Sequence, residues 1–469
     1  MDTSALEKWG PELSHWAKEY LDGLRERPVR AQTAPGDIAS QIPASPPEGP
    51  EEFAALLSDF ENLIMPGITH WQHPRFFAYF PANSSPPSVL AEWITATLAA
   101  QCMLWQTSPA ATELETCMLG WLRQMIGLPE NFHGVIQDSA SSATLSAILV
   151  AREKALSWTG NTDGLAGQPA TRIYCSDQVH SSIDKACWIA GVGQNNLVKL
   201  PTKGPLKSLD PEALDEAIEA DKAAGHLPAG VIVCIGATGT GGSDDIGAAI
   251  DVAHRHGLYV HVDAAWAGSA MICPEFRHFM AGAERADSFV FNPHKWLFTN
   301  FDCSAHFIRD PDSLVRTLGI RPSFLETQGR DGIINYSEWS VPLGRRFRAL
   351  KLWFVIRSYG VEQMQEMIRN HVRWAEDIAA RIDAEPDFEI ITQPMLSLFS
   401  FRYCPEGVED LDGLNARLLD AINDDGRIYV TQTQAEGHYV IRFQVGQTHT
   451  SEEDVALAFD VITELARGL

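Results

Sequence analysis

Apolar residues recur along this chain in two rhythms. Between residues 86 and 350, short apolar runs such as GVIQ (134–137), LYVHV (258–262) and SFVF (288–291) alternate with longer stretches of helical period. That alternation predicts a mostly parallel sheet with helices on both faces. Residues 1–85 read differently: a helical stretch, a linker over 33–50 rich in Pro, Ala, Gly and Ser, then a second helix over 51–64. Such an arm cannot bury its apolar face alone. From residue 351 the pattern predicts a helix over 351–358 resuming at 361–382, short strands over 396–403, 427–431 and 439–444, and a closing helix over 451–467. The Ser-Glu-Glu-Asp start of that last helix is N-cap chemistry. The expected organisation is an arm (1–85), a large α/β domain (86–350) and a smaller C-terminal α+β domain (351–469). No internal repeat is visible.

In open α/β sheets, chemistry gathers past the carboxyl ends of strands. Four such ends carry suggestive residues here. SFVFN (288–292) runs into Pro-His294-Lys295-Trp. A lysine between a histidine and a tryptophan is partly desolvated, which favours the neutral amine that a Schiff base requires; in isolation it would read as a surface lysine at a turn. GLYVHVD (257–263) ends in Asp263 followed by small residues. This carboxylate could cap the next helix, or it could pair with a cationic ring nitrogen such as that of pyridoxal phosphate. Ser139, Ala140 and Ser141 open a helix over 145–156, where free N–H groups and the helix dipole suit a phosphate. His180 follows the run at 174–175 and is placed to stack on a ring. Together the four are far more specific than any one of them.

Composition bounds the reading. With 469 residues, 45 % apolar and 21 % charged, the chain suits two or three globular domains. A net charge of −25 argues against nucleic acid or an anionic membrane as partner. No apolar run reaches membrane-spanning length, and the polar, acidic start shows no secretory pattern. The eight cysteines form no CxxC pair, so a reduced, cytoplasmic protein is expected. His254, His256, His261 and Asp263 lack the spacing of a metal site, and none is expected. TGTGGS (238–243) lacks the lysine of a nucleotide loop. Arg345, Arg346 and Arg348 are expected to pair with carboxylates at a seam. Arg442 could hold a substrate carboxylate but reads better as structural.

The segments HPRFFAYFP (73–81), SPAATELE (108–115), SDQVHSS (176–182), HVDAAWAGSA (261–270), NPHKWLFTNFDCSA (292–305) and PLGRRFRALKLWFVIRSYG (342–360) resemble the group II pyridoxal-phosphate-dependent decarboxylases, in particular the aromatic L-amino acid branch. The resemblance runs from about residue 8 to the C-terminus. It implies fold type I (aspartate aminotransferase-like), with a mostly parallel seven-stranded sheet and a smaller C-terminal domain. It also implies a homodimer in which the arm wraps the partner and active sites are shared. The cofactor set it implies is Lys295 carrying pyridoxal 5'-phosphate, Asp263 on the ring nitrogen, His180 stacked on one face and Ala265 on the other. Thr238 and His294 lie nearby, and Ser139, Ala140, Ser141, Asn292 and a partner-derived Leu343 hold the phosphate.

The resemblance has one chemical departure. Family members that release an amine use a tyrosine on a mobile loop to deliver a proton, and ungapped spacing from Lys295 puts Phe324 there. A phenyl ring has no proton to give. The main expectation is decarboxylation to amine and CO2; the alternative is decarboxylation with oxidative deamination to an aldehyde, ammonia and peroxide. A different gap placement would make Tyr336 the nearest loop tyrosine. For the substrate, Gly344 favours a bulky ring (phenylalanine or tryptophan) over histidine. Trp71, Tyr79, Phe80 and Pro81 would form an apolar box; Ala82 replaces a hydroxyl residue of catechol-handling members, and Gln101 and Met103 stand where mammalian members of the family have apolar and aromatic residues.

Overall fold

The computed structural model describes residues 2–320 and 332–469. Its contacts divide into two compact units. The first comprises Met1–Pro81, Trp374–Ile391 and Ser400–Leu469; the second comprises Ala82–Arg373 and Thr392–Phe399.

The second unit is built on a seven-stranded sheet. Its strands are β1 (His133–Gln137), β2 (Thr171–Ser176), β3 (Leu197–Leu200), β4 (Leu227–Cys234), β5 (Tyr259–Asp263), β6 (Ser288–Phe291) and β7 (Ser304–Ile308). They lie in the order β1-β7-β6-β5-β4-β2-β3. The run β3-β2-β4-β5-β6 is parallel throughout, while β7 is antiparallel to both its neighbours, β6 and β1. The central strands β5, β6 and β7 are buried at every position. This is why β5 and β6 read as apolar runs rather than as alternation. Strand β7 carries Ser304 and His306 in its interior, which hid it from a hydrophobicity reading.

The helix after β1 spans Ala140–Ala155, starting five residues before the expected 145. The cap explains the difference: Ser139 Oγ accepts the N–H of Ser142 at 3.3 Å, so the small hydroxyl residues are the helix's first turn. The long helix Arg348–Asp383 breaks at Gly360, whose φ of 70° and ψ of 165° are non-helical, at the interruption expected between 358 and 361.

In the first unit, the helix Ser4–Asp22 and the segment after it lie with the C-terminal elements. Arg25 and Arg75 both pair with Asp454, at 2.7 and 3.1 Å. Asp454 also completes a capping box with Ser451 at the start of the helix Glu452–Ala466. The small sheet runs in the order Phe388–Met395, Leu398–Tyr403, His438–Gln444, Thr431–Ala435. The strand expected over 427–431 therefore begins at Thr431 instead, and Phe388–Met395, with its interior Gln and Pro, was not foreseen. No helix among the described residues is long and apolar enough to cross a membrane. The eight cysteines are free thiols.

Candidate active site

Neighbouring parallel strands end together and bring the chemistry to one edge. Cys234 at the end of β4 is paired in register with Asp263 at the end of β5, and Asp263 with Val290 of β6. The chain leaves β6 through Asn292 into a single helical turn, Pro293–Trp296, with proline at the first helical position where its missing N–H costs nothing. That turn carries Lys295, half-buried, and it is firmly tied. Lys295 N–H donates to the Asn292 carbonyl at 2.9 Å, the Asn83 side chain donates to the Lys295 carbonyl, and Trp296 Nε1 donates to His371 Nδ1 at 2.9 Å.

A cavity of about 180 Å³ opens there, lined by Ser139, Ala140, Ser141, His180, Thr238, Asp263, Ala265, Asn292, His294 and Lys295. Of the cofactor residues read from sequence, only Leu343 lies elsewhere; it is 50 % exposed. Ser182, Cys234, Gly236, Ala237 and Trp266 also line the cavity and were not foreseen. Gly236 carries a signal in hindsight: it has φ +76°, and a Cβ on it would lie 2.6 Å from the Trp266 ring. Trp266 Nε1 donates to the carbonyl of the same glycine at 2.5 Å.

Electrostatics differentiate the titratable groups. Burial raises the Asp263 carboxyl above its ordinary value, against the lowering effects of the Ala265 N–H at 3.0 Å and the charges of Lys295 and His180. Burial lowers His180; Asp263 opposes that shift and Lys295 adds to it. The backbone N–H of Ser182 donates to His180 Nδ1 at 3.1 Å, so in the neutral ring the proton sits on Nε2. His294 is pushed down to about 3, first by burial and then by Lys295. Its Nδ1 accepts the Cys303 N–H at 2.9 Å, which again leaves the proton on Nε2.

The donor set suits a phosphorylated cationic ring. The amides of Ala140 and Ser141 stand in the first turn of a 16-residue helix, where N–H groups have no intrahelical partner. Asn292 is buried with its Oδ1 unmatched by any donor among the described residues, so its carboxamide can turn its NH2 to an anion. A buried carboxylate whose pKa is raised is relieved by a cationic N–H partner, and Lys295 supplies an amine on the same cavity wall.

A family model for the pyridoxal-dependent decarboxylase conserved domain matches residues 35–404. The chain is 39 % identical to phenylacetaldehyde synthase of Arabidopsis thaliana over 100 % of its length and 97 % of the relative. It is 40 % identical to the aromatic-L-amino-acid decarboxylase of Sus scrofa, over 100 % and 98 %. A crystal structure of Oryza sativa TDC with PLP and tryptamine superposes with a TM-score of 0.96 at 35 % identity, covering 100 % of this chain and 99 % of that one.

The chain belongs to the pyridoxal-dependent decarboxylase family. The decarboxylase has the α/β fold expected of it, it is a carboxy-lyase, and its cofactor is pyridoxal 5'-phosphate.

The remaining sequence-derived positions fall in three places. Gln101 and Gly344 line a separate cavity of about 430 Å³, together with Arg345, Arg346 and Arg348. Met103 is half-buried, with its carbonyl accepting the Ser337 N–H at 3.0 Å, and Ala82 is also half-buried. Trp71, Tyr79, Phe80 and Pro81 belong to the first unit. There Trp71 and Tyr79 stack at 5.7 Å, and Tyr79 Oη lies 3.4 Å from Tyr429 Oη, a neighbour that sequence reasoning missed. Phe324 lies outside the described residues. The arginine run is paired as expected: Arg345 with Glu115, Arg346 with Glu92 and Arg348 with Asp302. Arg442 is buried in the first unit, and that burial lowers its pKa to about 9.

Proposed function

We propose that the decarboxylase removes CO2 from a bulky aromatic L-amino acid, with Lys295 as the cofactor-carrying amine and Asp263 as the partner of the ring nitrogen. The observation that carries this reading is the cavity shared by Lys295, Asp263, His180 and the helix N-terminus at Ser139–Ser141. When bound, pyridoxal phosphate supplies an electron sink for the pair released from the Cα–carboxylate bond. The protein's own part is positional and electrostatic. Asp263 would hold a proton on the ring nitrogen, the neutral imidazole of His180 and the Ala265 methyl would pack against the ring, and the Ala140 and Ser141 amides with Asn292 would hold the phosphate. Gly344 leaves room for a large ring, which favours phenylalanine or tryptophan over histidine.

Release of an amine further requires a proton at Cα. Tyr336 is poorly placed to supply it. Tyr336 is 2 % exposed, its hydroxyl lies 2.9 Å from Thr116 Oγ1, and burial raises its pKa. With Phe324 read at the loop position from its spacing to Lys295, this supports a second reading. In it, the amino acid, O2 and water give the aromatic acetaldehyde, CO2, NH3 and H2O2, with dioxygen accepting the two electrons.

The active unit is a homodimer. On the helix Pro86–Leu98, Leu90, Trp93, Ile94 and Leu98 are 42–58 % exposed, a helical-period apolar face that a second copy covers. Location in the cytoplasm fits eight unpaired cysteines. The test is an assay with L-phenylalanine and L-tryptophan, with and without air, following CO2, amine, aldehyde and peroxide together. Amine without oxygen demand supports the first reading. Aldehyde and peroxide only in air support the second, and Phe324→Tyr should then restore amine.

A further inference from the structure

The residue just outside the phosphate cradle is acidic. Asp138 stands between the end of β1 and the helix Ala140–Ala155, half-buried beside Ser139. Ser139 Oγ donates to Asp138 Oδ1 at 2.9 Å. Its other acceptor, Ser142 Oγ, is more distant at 3.4 Å. A hydroxyl has one proton, and a carboxylate is the stronger acceptor. On its acceptor side the same oxygen caps the helix, receiving the Ser142 N–H at 3.3 Å. Ser139 is thus committed to the protein on both sides, although it lines the cavity. Asp138 enters no ion pair among the described residues: Arg348, whose guanidinium interacts with it electrostatically, is taken by Asp302 at 2.7 Å.

We infer that Asp138 weakens the protein's hold on the cofactor's phosphate, by taking the Ser139 proton and by setting an uncompensated carboxylate one hydrogen bond behind the cradle wall. The inference rests on the proposed placement of the phosphate at Ala140, Ser141 and Asn292. Two effects add. A phosphate oxygen has to win the Ser139 proton from a carboxylate, and like charges on either side of Ser139 repel. The phosphate is then held by the neutral donors of Ala140, Ser141 and Asn292. Occupancy of the site responds to the supply of free cofactor over a range in which a protein without the carboxylate is already saturated.

The test titrates the apoprotein with pyridoxal phosphate and with pyridoxal, which lacks the phosphate, read by quenching of tryptophan fluorescence. Asp138→Ala should lower the Kd for pyridoxal phosphate about tenfold, the scale of one charge-assisted hydrogen bond gained. The Kd for pyridoxal should stay within about twofold, which also shows that the variant is folded. Asp138→Asn, which removes the charge and keeps an acceptor, should give a smaller gain. Ser139→Ala should lose far more affinity in the Asp138→Ala background than in wild type. An unchanged or higher Kd in Asp138→Ala, or an equal change for pyridoxal, overturns the inference. Asn292→Ala separates it from the reading beneath it. If that variant weakens pyridoxal phosphate and spares pyridoxal while Asp138→Ala does nothing, the placement stands and Asp138 has no part. If Asn292→Ala affects neither ligand, the placement falls and the inference with it.

Discussion

Glu115 and Arg345 close a 2.5 Å ion pair inside the protein, with both side chains at most 3 % exposed. The same glutamate oxygen accepts the Ile136 N–H at 2.8 Å, so the pair fastens the helix Pro109–Ile126 and the 340–345 segment to β1, the strand that leads into the phosphate cradle. Breaking a buried pair from one side strands a charge. Glu115→Ala should therefore destabilise the holoenzyme by about 3–5 kcal/mol, while Glu115→Ala with Arg345→Met should lose less than the single change. Urea denaturation of the three proteins checks this.

Asp263 separates function from stability. Burial raises its carboxyl, so ionising it is costly to the fold and useful only to a cationic partner. Asp263→Asn should lower CO2 release by about 10²–10³-fold, the usual cost of removing one preorganised electrostatic group. The melting temperature should stay level or rise. A large fall in stability alongside the loss of activity would make Asp263 structural instead.

Gly236 tests how tightly the cavity floor is packed. A methyl at this position meets the Trp266 ring at 2.6 Å on a backbone with φ +76°. Gly236→Ala should cost about 1–3 kcal/mol through overpacking, seen as a lower melting temperature.

Two buried histidines make the fold acid-sensitive. His306 and His294 are both pushed down to about 3 by burial. Each stays neutral in the folded protein at pH values where the unfolded chain, titrating near the ordinary imidazole value of 6.5, already binds a proton. Their effect on stability is absent above that value, and stability is lost as pH falls from there toward the folded pKa. Per histidine the limiting slope is about 1.4 kcal/mol per pH unit. His306→Leu should flatten the acid limb of a pH–stability curve by up to one such slope, whereas an unchanged limb would place the acid sensitivity elsewhere.

Much of this site was legible because its residues sit at strand ends, where apolar runs stop at a functional side chain. SFVF before Asn292 and LYVHV before Asp263 each mark a buried strand and its exit in one reading. The break at Gly360 was likewise visible as a glycine within a helical period. What escaped depended on pairing across the chain. Strand β7 hides His306 and Ser304 in its interior, and the role of Trp266 appears only once Gly236 lies against its ring. Tyr429 reaches Tyr79 across 350 residues, and the orientation of Gln101 is decided by a backbone amide 244 residues away. No periodicity encodes such contacts. They come from tertiary packing.

In the proposed reaction Lys295 carries the cofactor and Asp263 supports it while the carboxylate of an aromatic amino acid is lost. The direct measurement is CO2 release from carboxyl-labelled L-phenylalanine, L-tryptophan and their ring-hydroxylated counterparts by the wild-type holoenzyme and by Lys295→Ala. Wild type should release labelled CO2 and the variant essentially none, with both proteins folded by circular dichroism. Turnover that persists without Lys295, or wild-type protein that retains the label with every aromatic substrate, would contradict it.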